Sequence, residues 1–425
     1  MSKWEWKKLG EVYDFTRGLT YSKKDEVESS SNCILRSNNI DLQTNLINLD
    51  ELKYIKDEIA IPQEKYVRKN TILICMSNGS KAHLGKVAYI DKDYDFAFGG
   101  FMGLLKPKCE INGKFVHLYL CSDEYKNFIK SLSDGANINN LKFDDLRKFE
   151  IPIPPLSEQK RIVKFLDEEF SKIETLKTNA ETNLKNAKEL FETTLEKELN
   201  PLSRHSERSE ESSAELPSGW ELKALGDVCY RIKRGKAPKY VEQSDVLVFA
   251  QKCNQPDGTM SLEKALCLDP SILGKYKAED YVKEGDVLVN STGNGTVGRV
   301  GFFNNKLLNN KKPVVPDTHI TTIRGLANTF PKYLYYFLKP KESYLSDKSL
   351  GTTNMKELHA DVLEHLQIPL PPLSVQKEIV ARLDKLSENV KRLEANYKQI
   401  IANCDELKKS ILKKTFEGDS RSSRE

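Results

Sequence analysis

Six histidines, eight cysteines and several glycine-rich loops are the residues that could do covalent or cofactor chemistry, and their spacing argues against each such use. Gly293-Asn294-Gly295-Thr296-Val297-Gly298 satisfies the G-x-G-x-x-G pattern, and Asp317 lies at about the distance, some 20 residues on, that a ribose-binding acid would take. That fingerprint needs a helix to open at the glycines so that its N-terminus meets a pyrophosphate. Here Arg299 to Phe303 reads as a strand and Asn304-Asn305 as a turn, so the segment is read as a glycine-rich hairpin. Gly79 to Lys86 misses the P-loop by one residue between the glycines, and Val87 stands where a magnesium-binding Ser or Thr is required. Phe98-Gly99-Gly100-Phe101-Met102-Gly103 is glycine-rich in the manner of a methyl-donor loop, but no Asn-Pro-Pro-aromatic tetrapeptide occurs to hold a flipped adenine. His83, His117, His205, His319, His359 and His365 form no metal-spaced pair. Cys33, Cys75, Cys109, Cys121, Cys229, Cys253, Cys267 and Cys404 contain no C-x-x-C and read as reduced core residues. With no G-x-S-x-G either, the chain is expected to be non-catalytic and to hold no metal or cofactor of its own.

The remaining chemistry is recognition. Several loops set Arg and Lys among Asn, Gln, Ser and Gly, the side chains that reach guanine, adenine and phosphate. In the first half the candidate DNA-binding residues are Arg17, Arg36, Asn38, Asn39, Asn78, Ser80 and Lys81. In the second they are Lys233, Arg234, Lys236, Lys252, Asn254, Gln255, Asn290, Thr292 and Asn294.

The elements that must position these loops follow from an internal repeat. Trp4-Glu5-Trp6-Lys7-Lys8-Leu9-Gly10-Glu11-Val12 returns as Trp220-Glu221-Leu222-Lys223-Ala224-Leu225-Gly226-Asp227-Val228. Ile151-Pro152-Ile153-Pro154-Pro155-Leu156-Ser157-Glu158-Gln159-Lys160 returns as Ile368-Pro369-Leu370-Pro371-Pro372-Leu373-Ser374-Val375-Gln376-Lys377. Between these anchors the scaffold repeats while the loops diverge, as expected if each copy reads a different target. Thr71 to Met76 and Asp286 to Asn290 read as buried strands, and Gly85 to Ile90 and Gly298 to Phe303 as the strands that follow them. Phe115 to Ser131 and Pro331 to Leu338 read as helical, so the fold class is α+β.

Each proline string is expected to launch a long helix, with Ser157 or Ser374 as its N-cap. Ser157 to Leu199 would make a rod of about 64 Å. In the second copy the predicted coiled-coil seam runs through Ile379, Leu383, Leu386, Val390, Leu393, Tyr397, Ile400, Cys404, Leu407 and Ile411. In the first it runs through Ile162, Leu166, Ile173, Leu176, Ala180, Ala187 and Leu190, with Glu169, Asn183 and Thr194 as polar interruptions. Two seams of equal length in one chain favour an intramolecular antiparallel pair with pseudo-twofold symmetry, because tethering lowers the entropy cost of pairing.

These readings divide the chain into a recognition domain at 1–154, a spacer helix at 155–200, a flexible linker at 201–216, a second recognition domain at 217–371, a second spacer helix at 372–417 and a tail at 418–425. Charged residues make up 30 %, mean hydropathy is −0.54 and the formal charge is +4. That balance permits a polyanionic partner without demanding one. No stretch approaches a membrane span and Met1 leads into Lys3-Trp4-Glu5 rather than an apolar segment, so a cytoplasmic location is expected.

In the paired W-x-x-x-x-L-G openings, and in the paired I-P-x-P-P-L-S-x-Q strings followed by Ile162-Val163 and Ile379-Val380, the chain resembles the specificity subunits of type I restriction-modification systems. The resemblance spans essentially the whole chain. It implies two target-recognition domains, each reading one half of a split, asymmetric site on double-stranded DNA, held apart by antiparallel helices. It implies as partners two adenine methyltransferase subunits, with two ATP-dependent translocase-nuclease (restriction) subunits as a further option. Those partners, rather than this chain, would bring S-adenosylmethionine, ATP and magnesium. The competing class is a coiled-coil scaffold with no sequence-specific DNA binding, which salt-dependent binding to random-sequence DNA would separate from a reader.

Overall fold

The computed structural model describes residues 4–41, 44–133, 140–200, 216–255, 259–304, 312–352 and 355–418. The expected linker at 201–216 and tail at 418–425 lie, but for one residue each, outside the described residues. The chain forms two compact units, residues 1–181 with 398–425 and residues 182–397.

Thr71–Cys75 shows how sequence makes the first unit. Its five residues are all buried, and their side chains alternate between two faces, as a strand requires. Ile72 and Ile74 enter one apolar cluster with Leu9, Leu105, Phe115 and Ile151, while Leu73 and Cys75 enter a second with Leu35, Ala88 and Phe98. The strand is interior to an antiparallel sheet ordered Tyr13–Arg17, Met102–Pro107, Thr71–Cys75, Val87–Ile90. A second sheet is ordered Glu26–Val27, Lys53–Ile55, Asn32–Leu35, Phe96–Phe98, its last pair parallel.

The second unit repeats the plan. Its sheets are ordered Cys229–Arg234, Ile320–Gly325, Val287–Asn290, Val300–Phe302 and Tyr240–Val241, Leu266–Leu268, Leu247–Phe249, Val314–Pro316. Val287 pairs with Phe302 and Val289 with Val300 as antiparallel neighbours, so the glycines at 293–298 do connect a hairpin. The helices Gly113–Tyr119 with Asp123–Ser133, and Pro331–Leu338, stand where the sequence placed them. The fold is α+β.

The repeated strings turn out to be partners. Glu5–Lys8 pairs antiparallel with Glu150–Ile153, Trp6 opposite Pro152, and Glu221–Ala224 pairs with Gln367–Leu370, Leu222 opposite Pro369. Each opening therefore closes on the string that ends its own copy. The proline that would break an interior strand is tolerated in such a two-stranded ribbon.

The long helices span Leu156–Leu199 and Leu373–Gly418. Ser157 and Ser374 are thus inside the first turn, which corrects their assignment as N-caps. Pro155 and Pro372 precede the helices instead, and their carbonyls accept from Gln159 N (3.0 Å) and Gln376 N (3.0 Å). The residue that fixes each helix start is the glutamine. Gln376 is wholly buried; its Oε1 accepts from Phe330 N (2.7 Å) and its Nε2 donates to Pro371 O (2.8 Å) and Asn328 O (3.1 Å). Gln159 does the same for Asn112 N (2.9 Å) and Pro154 O (2.8 Å). Gln376→Leu leaves a buried N–H and two carbonyls without partners, so the second unit should lose about 1–3 kcal/mol. Urea titration followed by hydrogen exchange of peptides from 325–376 measures it, and an unchanged midpoint would contradict this reading.

Antiparallel pairing of the helices is seen in the first unit, where Glu174 meets Lys408 at 2.5 Å and Lys177 meets Asp405 at 2.9 Å. In the second unit Glu198 meets Arg382 at 2.7 Å. The buried stripe is narrower than the sequence seam. Ile162, Leu166, Ile173, Ile379, Leu383 and Val390 are buried, and Leu386, Tyr397, Ile400 and Ile411 are half-buried. Leu176, Leu190, Leu393 and Leu407 are 50 %, 58 %, 39 % and 47 % exposed, which corrects their placement in the seam's interior. Ala180, Ala187 and Cys404, the small residues of the same seam, are buried. Leu166, Ile173, Ala180 and Ala187 recur every seventh residue, so only one of the two heptad positions faces inward there, and the leucines of the other lie on its margin.

Candidate nucleic-acid interface

In the first unit the candidate loops are tied together by backbone bonds. Gly18 N donates to Met102 O (3.0 Å) and Leu19 N to Phe98 O (2.8 Å), which brings the end of Tyr13–Arg17 onto the Gly99–Phe101 turn. Glycine is required at 18, since a Cβ there would lie 2.0 Å from Gly99 O. Arg17 Nε donates to Gly100 O at 3.1 Å. Met76 N and Ser77 N both donate to Phe101 O (2.8 and 3.1 Å), joining the loop after the central strand to the same turn. Asn78 Nδ2 donates to Ser37 Oγ (3.0 Å), and Gly99 N donates to Leu35 O (2.9 Å), which adds the 3-10 turn Ser37–Asn39.

The second unit uses an equivalent frame. Gly235 N donates to Ile320 O (3.0 Å), and a Cβ on Gly235 would lie 2.0 Å from Pro316 O. Ser291 N donates to His319 O (2.7 Å), Asp317 N to Phe249 O (3.0 Å), and Gln251 Nε2 to Thr292 Oγ1 (2.7 Å). Lys86 Nζ holds Ile40 O at 2.7 Å in one unit, and Arg299 Nη1 holds Asn254 O at 3.2 Å in the other. Backbone and basic struts are conserved between the copies while the side chains at the loop surface are not.

Within these frames the predicted residues separate. Arg17, Asn38, Ser80, Lys81, Lys233, Lys252 and Asn294 are exposed, and Arg36, Asn78, Arg234, Gln255 and Thr292 are half-buried. Arg36 lies 3.6 Å from Glu26, and Arg234 is tied to Glu357 (2.5 Å) and Leu358 O (2.6 Å). Gln255 Nε2 donates to Lys252 O (2.6 Å).

Three asparagines are corrected to structural roles. Asn39 is buried and donates to Asn48 O and Glu51 O, each at 2.9 Å, while accepting from Arg36 N (2.8 Å). Asn254 and Asn290 are buried and bonded to each other at 2.8 Å, with Asn290 Nδ2 donating to Gln251 O (3.2 Å). Their side chains are buried and their amide N–H groups are taken up by main-chain carbonyls and by Asn290 Oδ1, so none can face a base edge. Lys236 is also corrected: its Nζ is held by Asp280 and by Lys275 O, both at 2.5 Å.

The Lys236 contact titrates. Burial acts to raise the Asp280 carboxyl, but donation from Lys236, Lys277 N (2.9 Å) and Arg231 (3.0 Å) outweighs it and holds the group at about 2. A carboxylate held below its ordinary 3.8 adds stability that is present above that value and lost as pH falls toward 2. The second unit should therefore lose on the order of 2 kcal/mol between pH 4 and pH 2. Asp280→Asn should lose this acid sensitivity, so the gap between the two proteins in urea titrations should close over that interval. A constant gap would contradict the assignment. Nearby, burial pushes the Asp317 carboxyl up, although His319 N donates to it at 2.8 Å.

Two surface residues of the frame escaped the sequence reading. Phe101 is 70 % exposed, and His319, which occupies the equivalent place, is exposed with Nδ1 2.5 Å from Thr292 Oγ1. In composition Phe98 to Gly103 resembles a methyl-donor loop; what marks Phe101 in the sequence is a large apolar residue set between two glycines and a strand. Among the described residues, no group of His, Cys, Asp or Glu could hold a metal ion, and no helix is long and apolar enough to cross a membrane.

A family model described as "Type I restriction modification DNA specificity domain" matches residues 1–186 and 217–402. The chain is 28 % identical to the type I restriction enzyme EcoKI specificity subunit of Escherichia coli K12, over 96 % of this chain and 87 % of that protein. It is 26 % identical to the StySPI specificity subunit of Salmonella potsdam, over 98 % and 89 %. Among solved structures, a chain from work on complex assembly and conformational transition of the type I R-M system covers 99 % of both chains with a TM-score of 0.73 at 22 % identity. The HsdS subunit from Thermoanaerobacter tengcongensis covers 99 % of this chain and 98 % of its own with a TM-score of 0.62 at 21 % identity. These last two likenesses are of fold.

Proposed function

Because this chain belongs to the type I restriction modification DNA specificity family, we propose that it reads a bipartite, asymmetric site on double-stranded DNA and recruits two methyltransferase subunits to it. Residues 1–154 bind one half-site and 217–371 the other, while 155–200 and 372–417 space them. Half-sites read from one face of B-DNA lie about 34 Å apart or a multiple of it, so rigid helices serve as the ruler.

The observation that carries this reading is the pair of equivalent loop frames bearing unlike side chains. Arg17, Asn38, Asn78, Ser80, Lys81 and Phe101 stand on one; Lys233, Arg234, Lys252, Thr292, Asn294 and His319 stand on the other. Exposed Arg and Lys neutralise phosphates and set register, and the neighbouring polar groups meet base edges. Unlike surfaces on like frames suit unlike half-sites.

Recruitment falls to the exposed leucines of the helices. Leu176 and Leu407 belong to the first unit, Leu190 and Leu393 to the second, so each unit offers one leucine from each helix. Two similar apolar patches suit two identical partners. The chain is the non-catalytic member of the complex and works in the cytoplasm. S-adenosylmethionine is carried by the methyltransferase subunits, with ATP and magnesium on restriction subunits where the complex includes them.

The experiment is domain exchange. The chain, co-purified with its methyltransferase, should direct adenine methylation to one bipartite motif in genomic DNA. Replacing residues 1–154 with those of a relative should change one half of that motif and leave the other half intact. Methylation indifferent to the exchange would overturn the proposal.

A further inference from the structure

Phe101 combines a fixed main chain with an exposed side chain. Its carbonyl accepts from Met76 N and Ser77 N, the turn closes through Met102 N donating to Gly99 O (2.8 Å), and Arg17 Nε holds Gly100 O. The phenyl ring nevertheless remains 70 % exposed, the most exposed large apolar side chain among the described residues. A ring held out by an ordered backbone meets a ligand with little further ordering cost. Arg17 reaches the same turn through Gly100 O, and Asn78 follows Ser77, whose N–H donates to Phe101 O; both are among the polar residues assigned to the same half-site.

The second unit places His319 at this position, because Ser291 N donates to His319 O as Met76 N donates to Phe101 O. A hydrogen-bond relay anchors the ring: Gln251 Nε2 donates to Thr292 Oγ1 (2.7 Å), and that hydroxyl lies 2.5 Å from His319 Nδ1. Nδ1 is thereby engaged within the frame, and with the Thr292 hydroxyl donating to it, Nε2 carries the ring proton.

We propose that this shared loop-tip position is a specificity-determining contact in both units: Phe101 takes the 5-methyl group of a thymine, and His319 donates through Nε2 to the N7 acceptor of a purine. Both features lie in the major groove, where an apolar methyl and a purine acceptor distinguish base pairs. The inference rests on the proposed half-site reading and names which side chain performs one step of it in each half.

The test uses the full chain with its methyltransferase and oligonucleotides carrying the mapped site. Each thymine of the first half-site is replaced singly by deoxyuridine, which removes only the methyl group. One replacement should weaken binding about fourfold, the expected effect of losing one buried methyl contact. Phe101→Ala should weaken the parent site similarly and abolish the thymine-to-uracil difference. Each purine of the second half-site is replaced by its 7-deaza analogue. One replacement should weaken binding about fivefold, as for a lost neutral hydrogen bond, and not further in His319→Ala. Phe101 and His319 are exposed, so both variants keep the fold, which circular dichroism checks. A first half-site insensitive to every uracil replacement, or a sensitivity that survives Phe101→Ala, overturns the assignment of Phe101; the 7-deaza series decides His319 in the same way. Arg17→Ala separates the two levels. If it weakens binding while Phe101→Ala does not, this inference fails and the half-site reading stands; if neither has any effect, the reading by the first unit fails with it.

Discussion

Asp286→Ala should cost the second unit about 3–5 kcal/mol, the usual penalty for stripping one partner from a buried ion pair. Asp286 and Arg324 form a fork in the interior, Nε to Oδ1 at 2.5 Å and Nη2 to Oδ2 at 2.6 Å, with the two side chains 1 % and 9 % exposed. Burial works against the guanidinium charge, but the Asp286 hydrogen bonds and charge reverse that and raise Arg324 above its ordinary value. Asp286 Oδ2 also accepts from Lys283 N (2.7 Å) at the turn into Val287–Asn290. Alanine at 286 therefore orphans a buried cation and a backbone donor together. The strand it disturbs carries Ser291 and Thr292 into the recognition frame, so reading of the second half-site should fail in parallel. Hydrogen exchange of the full chain should show the loss in peptides of 220–370 and not in those of 4–130. Adding Arg324→Met should recover much of it, since an apolar replacement removes the unpaired charge. A loss below about 1 kcal/mol would mean that the fork contributes little.

Among the described residues of the first unit, no such fork occupies the corresponding place. Thr71 stands where Asp286 does and caps the corresponding turn by donating Oγ1 to Arg68 O, while Lys106, opposite Asp14 in the sheet, is exposed. One scaffold thus solves the same turn with unlike residues, which is why the internal repeat was legible residue by residue at its ends and only as apolar runs between them. The W-x-x-x-x-L-G and I-P-x-P-P-L-S-x-Q strings could be matched by eye, and the strands between them by apolar runs. Nothing in their spacing said that Trp6 would face Pro152 or that Gln376 would reach Phe330 N. Asn38 and Asn39 are adjacent and chemically identical, yet one is exposed and the other is buried beneath Asn48 and Glu51 carbonyls. Composition cannot separate them; only the path of the loop does. The seam was legible in its register but not in its depth. Heptad spacing specifies two apolar positions per repeat, whereas burial follows Leu166, Ile173, Ala180 and Ala187 and leaves Leu176 and Leu190 on the margin. Phe101 and His319 share a place only when the copies are aligned through their hydrogen bonds, because the intervening loops differ in length.

Acid should loosen the first unit well before the second, and His117 supplies the reason. It lies on Gly113–Tyr119, whose N-cap Asn112 accepts from Lys114 N (3.0 Å) and Phe115 N (3.2 Å). The imidazole is buried, with Nε2 3.0 Å from Asn45 O and Cys121 Sγ 3.6 Å away. Burial pushes its pKa down from 6.5 to about 4, and Lys114 pushes the same way, against the backbone carbonyls of Asn45 and Val87. The unfolded chain takes up this proton near pH 6.5 while the folded chain refuses it. The resulting stability is present above 6.5 and is lost as pH falls toward 4, about 3 kcal/mol in all and about 2 kcal/mol by pH 5. Asn45 holds a positive φ of 54° and belongs to the loop whose Asn48 is bonded to Asn39 in both directions, so the loosening is transmitted to the turn Ser37–Asn39 of the candidate interface. Urea titrations with exchange readout at pH 7.5 and 5.0 should show the loss in peptides of 36–120. His117→Gln, which cannot titrate, should flatten the response while the Asp280-dependent loss in the second unit stays at its lower pH. An equal response in the parent and in His117→Gln would remove His117 as the cause, and an acid response confined to pH below 4 would remove the buried neutral imidazole altogether.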